Sequence, residues 1–149
     1  MSAAFTHATR VRFHQADPAG VLFYGRVYDY SHVAYEEFWA SMGVDRAWVF
    51  SGAEFLIPIA HSEADYRKPV LHGERIAIRL DVTRVGRASF SLGYRITGPG
   101  GPGDVRAEVK TVHAFVEKKS MKPIPIPEDL RVFLLRHLVQ EPVAHNPSQ

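Results

Sequence analysis

The segment His14-Gln15-Ala16-Asp17-Pro18-Ala19-Gly20-Val21-Leu22-Phe23-Tyr24-Gly25 sets one carboxylate in a tight turn, then a short apolar run and a glycine at the mouth of a long amphipathic stretch. Proline donates no ladder hydrogen bond and glycine admits positive φ, so Asp17-Pro18-Ala19-Gly20 reads as a turn. The chemistry on offer is an acid held beside the free N–H groups of a helix start. Such an acid can activate water against a carbonyl while the N–H donors stabilise the oxyanion. Asp17 equally suits a structural task, capping the turn through its side chain. Gly25 has two uses for its missing Cβ: it sets the entry angle into the helix, or it lets a substrate carbonyl approach the backbone. Tyr24 serves as a packed aromatic or as a substrate contact.

Other residues join these by spacing. His32 and Glu36 stand four apart and share one helical face, as a surface pair or as pocket lining. His61 follows the run Phe55-Leu56-Ile57-Pro58-Ile59-Ala60 and suits a core histidine with a hydrogen-bond partner. Arg84, Arg87 and Ser89 flank a reversal, where arginines either solubilise the turn or grip a phosphate through their planar fork. The chain lacks a phosphate-binding Gly-rich loop ending in Lys-Ser or Lys-Thr, a dinucleotide fingerprint and a Gly-x-Ser-x-Gly elbow. None of its 8 histidines forms His-Glu-x-x-His spacing, and no cysteine supports them, so a site without a metal or a cofactor is the expectation.

Composition narrows the class. A length of 149 residues suits one domain, 1–149, with a core of its own. Apolar residues make up 46% and charged ones 23%, which argues for a soluble globular chain. Cysteine is absent, which removes disulfides, thiolate metal sites and a cysteine nucleophile. A net charge of +2 implies no nucleic-acid partner. No run approaches the roughly 20 apolar residues that span a membrane, and Met1 to Thr9 lacks the pattern of a secretion signal, so the expected location is the cytoplasm.

The elements that must position these residues follow from periodicity. Thr9 to His14 alternates, with Val11 and Phe13 on one face, as in a half-buried strand. From Arg26, the residues Val27, Tyr30, Ala34, Tyr35, Phe38, Trp39 and Met42 recur three and four apart, one face of a helix ending near Gly43. Ala53 to Tyr66 reads as a strand interrupted at Pro58 by an edge or bulge. Ile76, Ile78, Leu80 and Val82 alternate, Val85-Gly86-Arg87 reverses the chain, and Phe90, Leu92, Tyr94 and Ile96 resume the alternation. Gly98 to Gly103 is a long hairpin loop. Val105, Ala107 and Val109 alternate next, and the apolar phase then slips to Val112, Ala114 and Val116. A β-bulge around Thr111-Val112 or a strand buried on both faces accounts for that slip. Pro123, Pro125 and Pro127 block a central strand, Glu128 to Leu138 suits a short helix, and the tail from Glu141 looks frayed. The assembly is α+β, one long helix on a curved antiparallel sheet, and the sheet's bare edge and second face call for a dimer.

Asp17-Pro18-Ala19-Gly20-Val21-Leu22-Phe23-Tyr24, followed by a long aromatic-rich helix, resembles the hotdog-fold acyl-CoA thioesterases of the 4-hydroxybenzoyl-CoA thioesterase type, from about Val11 to Leu130. The stretch Phe55 to His61, the group His32-Val33-Ala34-Tyr35-Glu36 and the proline-rich segment after Lys118-Lys119 resemble the branch that hydrolyses 1,4-dihydroxy-2-naphthoyl-CoA in quinone biosynthesis. The resemblance implies a helix wrapped by a curved sheet, homodimers paired through that sheet and frequently joined into tetramers, and active sites at the subunit interface. It makes Asp17 the catalytic carboxylate, as general base or as nucleophile, and aims the N–H groups around Tyr24 and Gly25 at the thioester oxygen. It brings His32, Glu36 and His61 to the acyl group or pantetheine, and Arg84, Arg87 and Ser89 to the phosphates of coenzyme A, which is part of the substrate. It leaves 4-hydroxybenzoyl-CoA, a broad range of short acyl-CoAs, noncatalytic acyl-CoA binding and a related dehydratase as other readings.

Overall fold

The computed structural model describes residues 5–22, 24–43 and 54–139. Phe23, the Ala53 start of the interrupted strand and the tail from Glu141 lie outside the described residues. The elements are β1 (Phe5–Arg10), a 3-10 turn (Phe13–Gln15), α1 (Arg26–Ala40), β2 (Phe55–Leu56), β3 (Ile59–Tyr66), β4 (Arg75–Val85), β5 (Ser89–Thr97), β6 (Val105–Ala114), β7 (Val116–Glu117) and α2 (Glu128–Arg136). Five strands form an antiparallel sheet in the order β1-β4-β5-β6-β3, and β2 pairs with β7 beside it. This is the hotdog arrangement, with α1 laid along the concave face of the sheet.

Alternation places the core. Opposed pairs Ile78–Ile96, Leu80–Tyr94 and Val82–Leu92 join β4 to β5, and Tyr94–Val109 and Ile96–Ala107 join β5 to β6, all on the concave side. Val27, Tyr30, Ala34, Tyr35, Phe38 and Trp39 of α1 are buried against that side, while Met42 packs at its margin. Gly43 ends the segment in the left-handed region at φ +84°, where an L side chain is strained. Phe133 of α2 closes the end of the core on Phe38 and Trp39, with ring centroids 4.8 and 5.6 Å apart.

Curvature comes from one-residue slips of register. Thr83 is extra between the pairs Val82–Leu92 and Arg84–Ser91, and Ala60 is extra between Ile59–His113 and His61–Val112. Each slip is a bulge that bends its strand and increases its twist.

Three expectations change. The first strand spans Phe5–Arg10 and not Thr9 to His14: Val11 ends the ladder buried, while Phe13, in the 3-10 turn, is 79% exposed and meets the His72 ring edge-on. The bulge around Thr111-Val112 is not in β6, which stays in register with β5 through Leu92–Thr111, Ser91–Val112 and Phe90–His113; the slip beside it belongs to Ala60 of β3, against Val112 and His113. The apolar phase slips there because the concave positions become polar, Thr111 and His113, and both are buried. Finally, α2 stops at Arg136, and Leu138 and Val139 leave it to lie beside Val82.

Candidate active site

The Asp17 turn is built by its own backbone and side chain. The Asp17 N–H donates to the Val21 carbonyl at 2.7 Å, and Gly20 N–H donates to the Asp17 carbonyl at 2.9 Å. Carboxylate Oδ1 accepts the N–H groups of Ala19 at 2.8 Å and Val21 at 3.3 Å, while Oδ2 accepts no hydrogen bond among the described residues. Gly20 supplies φ +80°, and its carbonyl accepts the His72 N–H, clamping the turn to the segment before β4. The structural and chemical readings of Asp17 are therefore compatible, since one oxygen alone builds the loop.

The chain then enters α1 without a side-chain cap among the described residues, so the N–H groups of Arg26 and Val27 have no capping side chain, while the Tyr28 N–H donates to the Gly25 carbonyl at 3.3 Å. Gly25 is the N-cap at φ −70° and ψ −16°, a conformation open to any residue. What glycine contributes there is the absence of a Cβ. The Tyr24 side chain is exposed, and its carbonyl accepts the Tyr66 hydroxyl from β3 at 2.6 Å. A second tether, from the Tyr30 hydroxyl to Gln15 Oε1, fixes the 3-10 turn to α1.

Beside this helix start lies a cleft of about 340 Å³ between α1 and the sheet. Its helical wall carries Tyr28, His32 and Tyr35, and its β3 wall carries Ile59 and Ser62. Its floor is Tyr94, Thr111 and His113. The volume sits at the lower end of the range of about 300–1,000 Å³ that holds small molecules. The His113 ring is stacked between Tyr35 and Phe90, with centroids at 4.6 and 4.9 Å and planes within 10°. Burial, with the nearby His32 adding to it, pushes its imidazole down to about 4.

The remaining expected site residues separate into two groups. His32 lines the cleft with its ring 3.6 Å from the Glu36 carboxylate, whereas Glu36 lies outside the lining. His61 faces the convex side, 2.8 Å from Glu63, because the extra Ala60 turns Ser62 and not His61 toward the cleft. At the β4–β5 turn the structure brings Arg84 to Ser89, with Nη1 3.2 Å from Oγ, and leaves Arg87 exposed. Arg131 of α2 holds that turn through the Gly86 carbonyl at 2.7 Å. Among the described residues no group of His, Asp and Glu has metal-binding geometry.

Tyr94, Thr111 and His113 were not singled out from sequence. For Thr111 and His113 the signal is the loss of apolar phase in β6; Tyr94 keeps the apolar phase of β5 and carries none.

The family model described as the thioesterase-like superfamily matches residues 11–134, from the end of β1 through α2. The chain belongs to the thioesterase-like superfamily. A 1,4-dihydroxy-2-naphthoyl-CoA hydrolase of Synechococcus elongatus is 33% identical over 125 residues, 83% of this chain and 90% of that protein. Another 1,4-dihydroxy-2-naphthoyl-CoA hydrolase, of Thermosynechococcus vestitus, is 31% identical, covering 83% of this chain and 84% of its own length. The structure of a 1,4-dihydroxy-2-naphthoyl-CoA thioesterase from Synechocystis matches with a TM-score of 0.82 over 89% of this chain and 96% of that one, at 23% identity, a likeness of fold. The chain is accordingly an acyl-CoA thioesterase, a hydrolase of the thioester bond.

Proposed function

We propose that this thioesterase hydrolyses an aryl-CoA, with 1,4-dihydroxy-2-naphthoyl-CoA the leading substrate, to the free acid and coenzyme A, as a step of quinone biosynthesis. The observation that carries the reading is the Asp17 carboxylate, pinned by two N–H groups through Oδ1 with Oδ2 left over, on a loop that runs directly into an uncapped helix beside an aromatic cleft. The thioester carbonyl meets the N–H groups at Gly25 and the first turn of α1, where the developing oxyanion gains hydrogen bonds and the positive end of the helix dipole. The aryl ring enters the cleft between Tyr28, Tyr35 and Ile59. Asp17 Oδ2 takes a proton from water as that water attacks, or itself attacks to form a mixed anhydride that water then opens. In both routes the carbon–sulfur bond breaks and the thiolate leaves as coenzyme A. Arg84, Arg87 and Ser89 hold its phosphates at the turn of β4 and β5.

The same proposal makes the chain a homodimer. Strand β3 is an edge strand eight residues long, seven of them exposed, and it contains no proline. The Arg67 N–H donates inward to the Arg106 carbonyl, so in the register Asp65–Glu108 and Glu63–Lys110 the odd residues bond β6. Ser62, Ala64 and Tyr66 then present their N–H and C=O groups to the free edge, ready for a second β3. Ile59 and Ser62 lie on that strand, so pairing sets each cleft beside the partner. Two such dimers join into a tetramer in this reading. No helix among the described residues is long and apolar enough to cross a membrane; a cytoplasmic setting completes the proposal.

The deciding experiment is steady-state hydrolysis of aryl, naphthoyl and aliphatic CoA thioesters by the native chain and by Asp17→Asn. Asparagine keeps an Oδ1 acceptor for Ala19 and Val21, so the loop survives while kcat falls by about 10²–10⁴-fold. Full turnover in that variant removes Asp17 from the reaction, and a preference for aliphatic esters overturns the aryl assignment. Single turnover in ¹⁸O-water identifies an anhydride that water opens at the Asp17 carbonyl, because that opening alone places label in the Asp17 carboxylate.

A further inference from the structure

The floor of the cleft is polar where an aryl ring alone would call for an apolar surface. Thr111 Oγ1 lies 2.8 Å from His113 Nε2 and 3.4 Å from the Tyr94 hydroxyl, so the three form one row across β5 and β6. All three are buried, at 4%, 1% and 3% exposure for Thr111, His113 and Tyr94. Among the described residues His113 Nδ1 has no hydrogen-bond partner. A buried polar group left unpaired costs about 1–3 kcal/mol, and apolar residues of similar shape would avoid that cost. The stack between Tyr35 and Phe90 holds the plane of the imidazole, so the position from which Nε2 meets the Thr111 hydroxyl is fixed.

We infer that the row Tyr94–Thr111–His113 reads a hydroxyl on the aryl ring of the acyl group, which makes it the element that selects ring-hydroxylated over unsubstituted aryl-CoA. The inference rests on the proposed aryl-CoA hydrolysis and adds the residues that set its specificity. Thr111 and Tyr94 meet the ring hydroxyl, and His113 is a positioning residue that orients the Thr111 hydroxyl. With one more partner in the cleft, each of the two hydroxyls in the row can both donate and accept, which the protein alone arranges only through the long Tyr94–Thr111 contact. Discrimination then arises as it does wherever a site is built to bond a hydroxyl: a ligand lacking the group leaves buried polar atoms unpaired. The apolar walls at Tyr28, Tyr35 and Ile59 hold either ring, so the difference is confined to the floor.

The test compares kcat/KM for 1,4-dihydroxy-2-naphthoyl-CoA with that for 2-naphthoyl-CoA in the native chain and in Thr111→Val, Thr111→Ser and Tyr94→Phe. The native chain favours the hydroxylated ester by at least about tenfold, Thr111→Val and Tyr94→Phe each cut that ratio by about tenfold, and Thr111→Ser restores it. A ratio near one in the native chain, or a ratio unmoved by Thr111→Val, overturns the inference. Binding of the free acids, 1,4-dihydroxy-2-naphthoate against 2-naphthoate, is measured by calorimetry on the same proteins and on Asp17→Asn. If no aryl-CoA is turned over, the proposed function fails on its own. The affinity ratio of the two acids still decides the inference: a Thr111-dependent preference for the hydroxylated acid supports it, and equal affinities overturn it.

Discussion

Asp17 builds its turn with Oδ1 alone, so the structural reading of the turn does not displace the catalytic role proposed for the same carboxylate. The two readings of Gly25 can likewise be separated. Its φ of −70° needs no glycine, so Gly25→Ala should shift the melting temperature by only a few degrees, about 1 kcal/mol or less at an N-cap. The same change should lower kcat/KM by about tenfold or more, because a methyl group now stands where the thioester oxygen approaches. Unchanged kinetics would confine Gly25 to shaping the chain's entry into α1. His113 makes a prediction about acid. Its imidazole is held neutral down to about 4, whereas an unfolded histidine titrates near ~6.5. On acidification the unfolded chain takes up the proton first, so this stability is intact above about pH 6.5 and is lost as pH falls toward about 4. Between pH 7 and about 4.5 the loss from this residue is about 2–3 kcal/mol. Urea unfolding at the two pH values should show a drop smaller by that amount in His113→Phe, which keeps an aromatic ring in the stack. Equal drops in the two proteins would mean that His113 does not titrate between the folded and unfolded states in this range.

At the scale of elements, what could be read from the sequence was whatever one face of one strand or helix decides. Val27 to Trp39 show their period because a single side of α1 is buried, and the alternation of Ile76 to Val82 and of Phe90 to Ile96 shows which side of the sheet faces it. The Asp17 turn was visible because proline and glycine constrain the backbone locally. Two things escaped. Whether His61 or Ser62 enters the cleft depends on one extra residue, Ala60, whose bulge is set by pairing with β6 and leaves no mark in composition. The polar floor escaped because Thr111 and His113 break the apolar pattern for the sake of the site, and a broken pattern resembles an irregular strand. Strand β3 also carries the test of assembly. Ala64 turns its N–H to the free edge, so Ala64→Pro removes a donor to the partner and leaves the bonds to β6 in place. Light scattering should then find a monomer in place of the native dimer or tetramer, with far-ultraviolet circular dichroism unchanged. A native chain that is already monomeric would sink the β3 pairing.

For the molecule as a whole, the division of the cleft between a helical wall and a sheet floor has a consequence for how such a protein can change. The acid, the bare helix start and the helical wall come from one continuous peptide, Asp17 through Tyr35, tied together by Asp17 Oδ1, by the Tyr30–Gln15 contact and by the Tyr66 hydroxyl on the Tyr24 carbonyl. The floor comes from the far half of the chain, from a hairpin whose other side chains pack into the core. In the proposed assignment the reacting groups and the polar floor are therefore inherited through separate stretches of the gene. Substitutions in β5 and β6 then change the floor without touching the proposed reacting groups, whereas changes in the first 35 residues reach both those groups and the helical wall of the cleft at Tyr28, His32 and Tyr35. A scaffold divided in this way diversifies its substrates readily while keeping one chemistry.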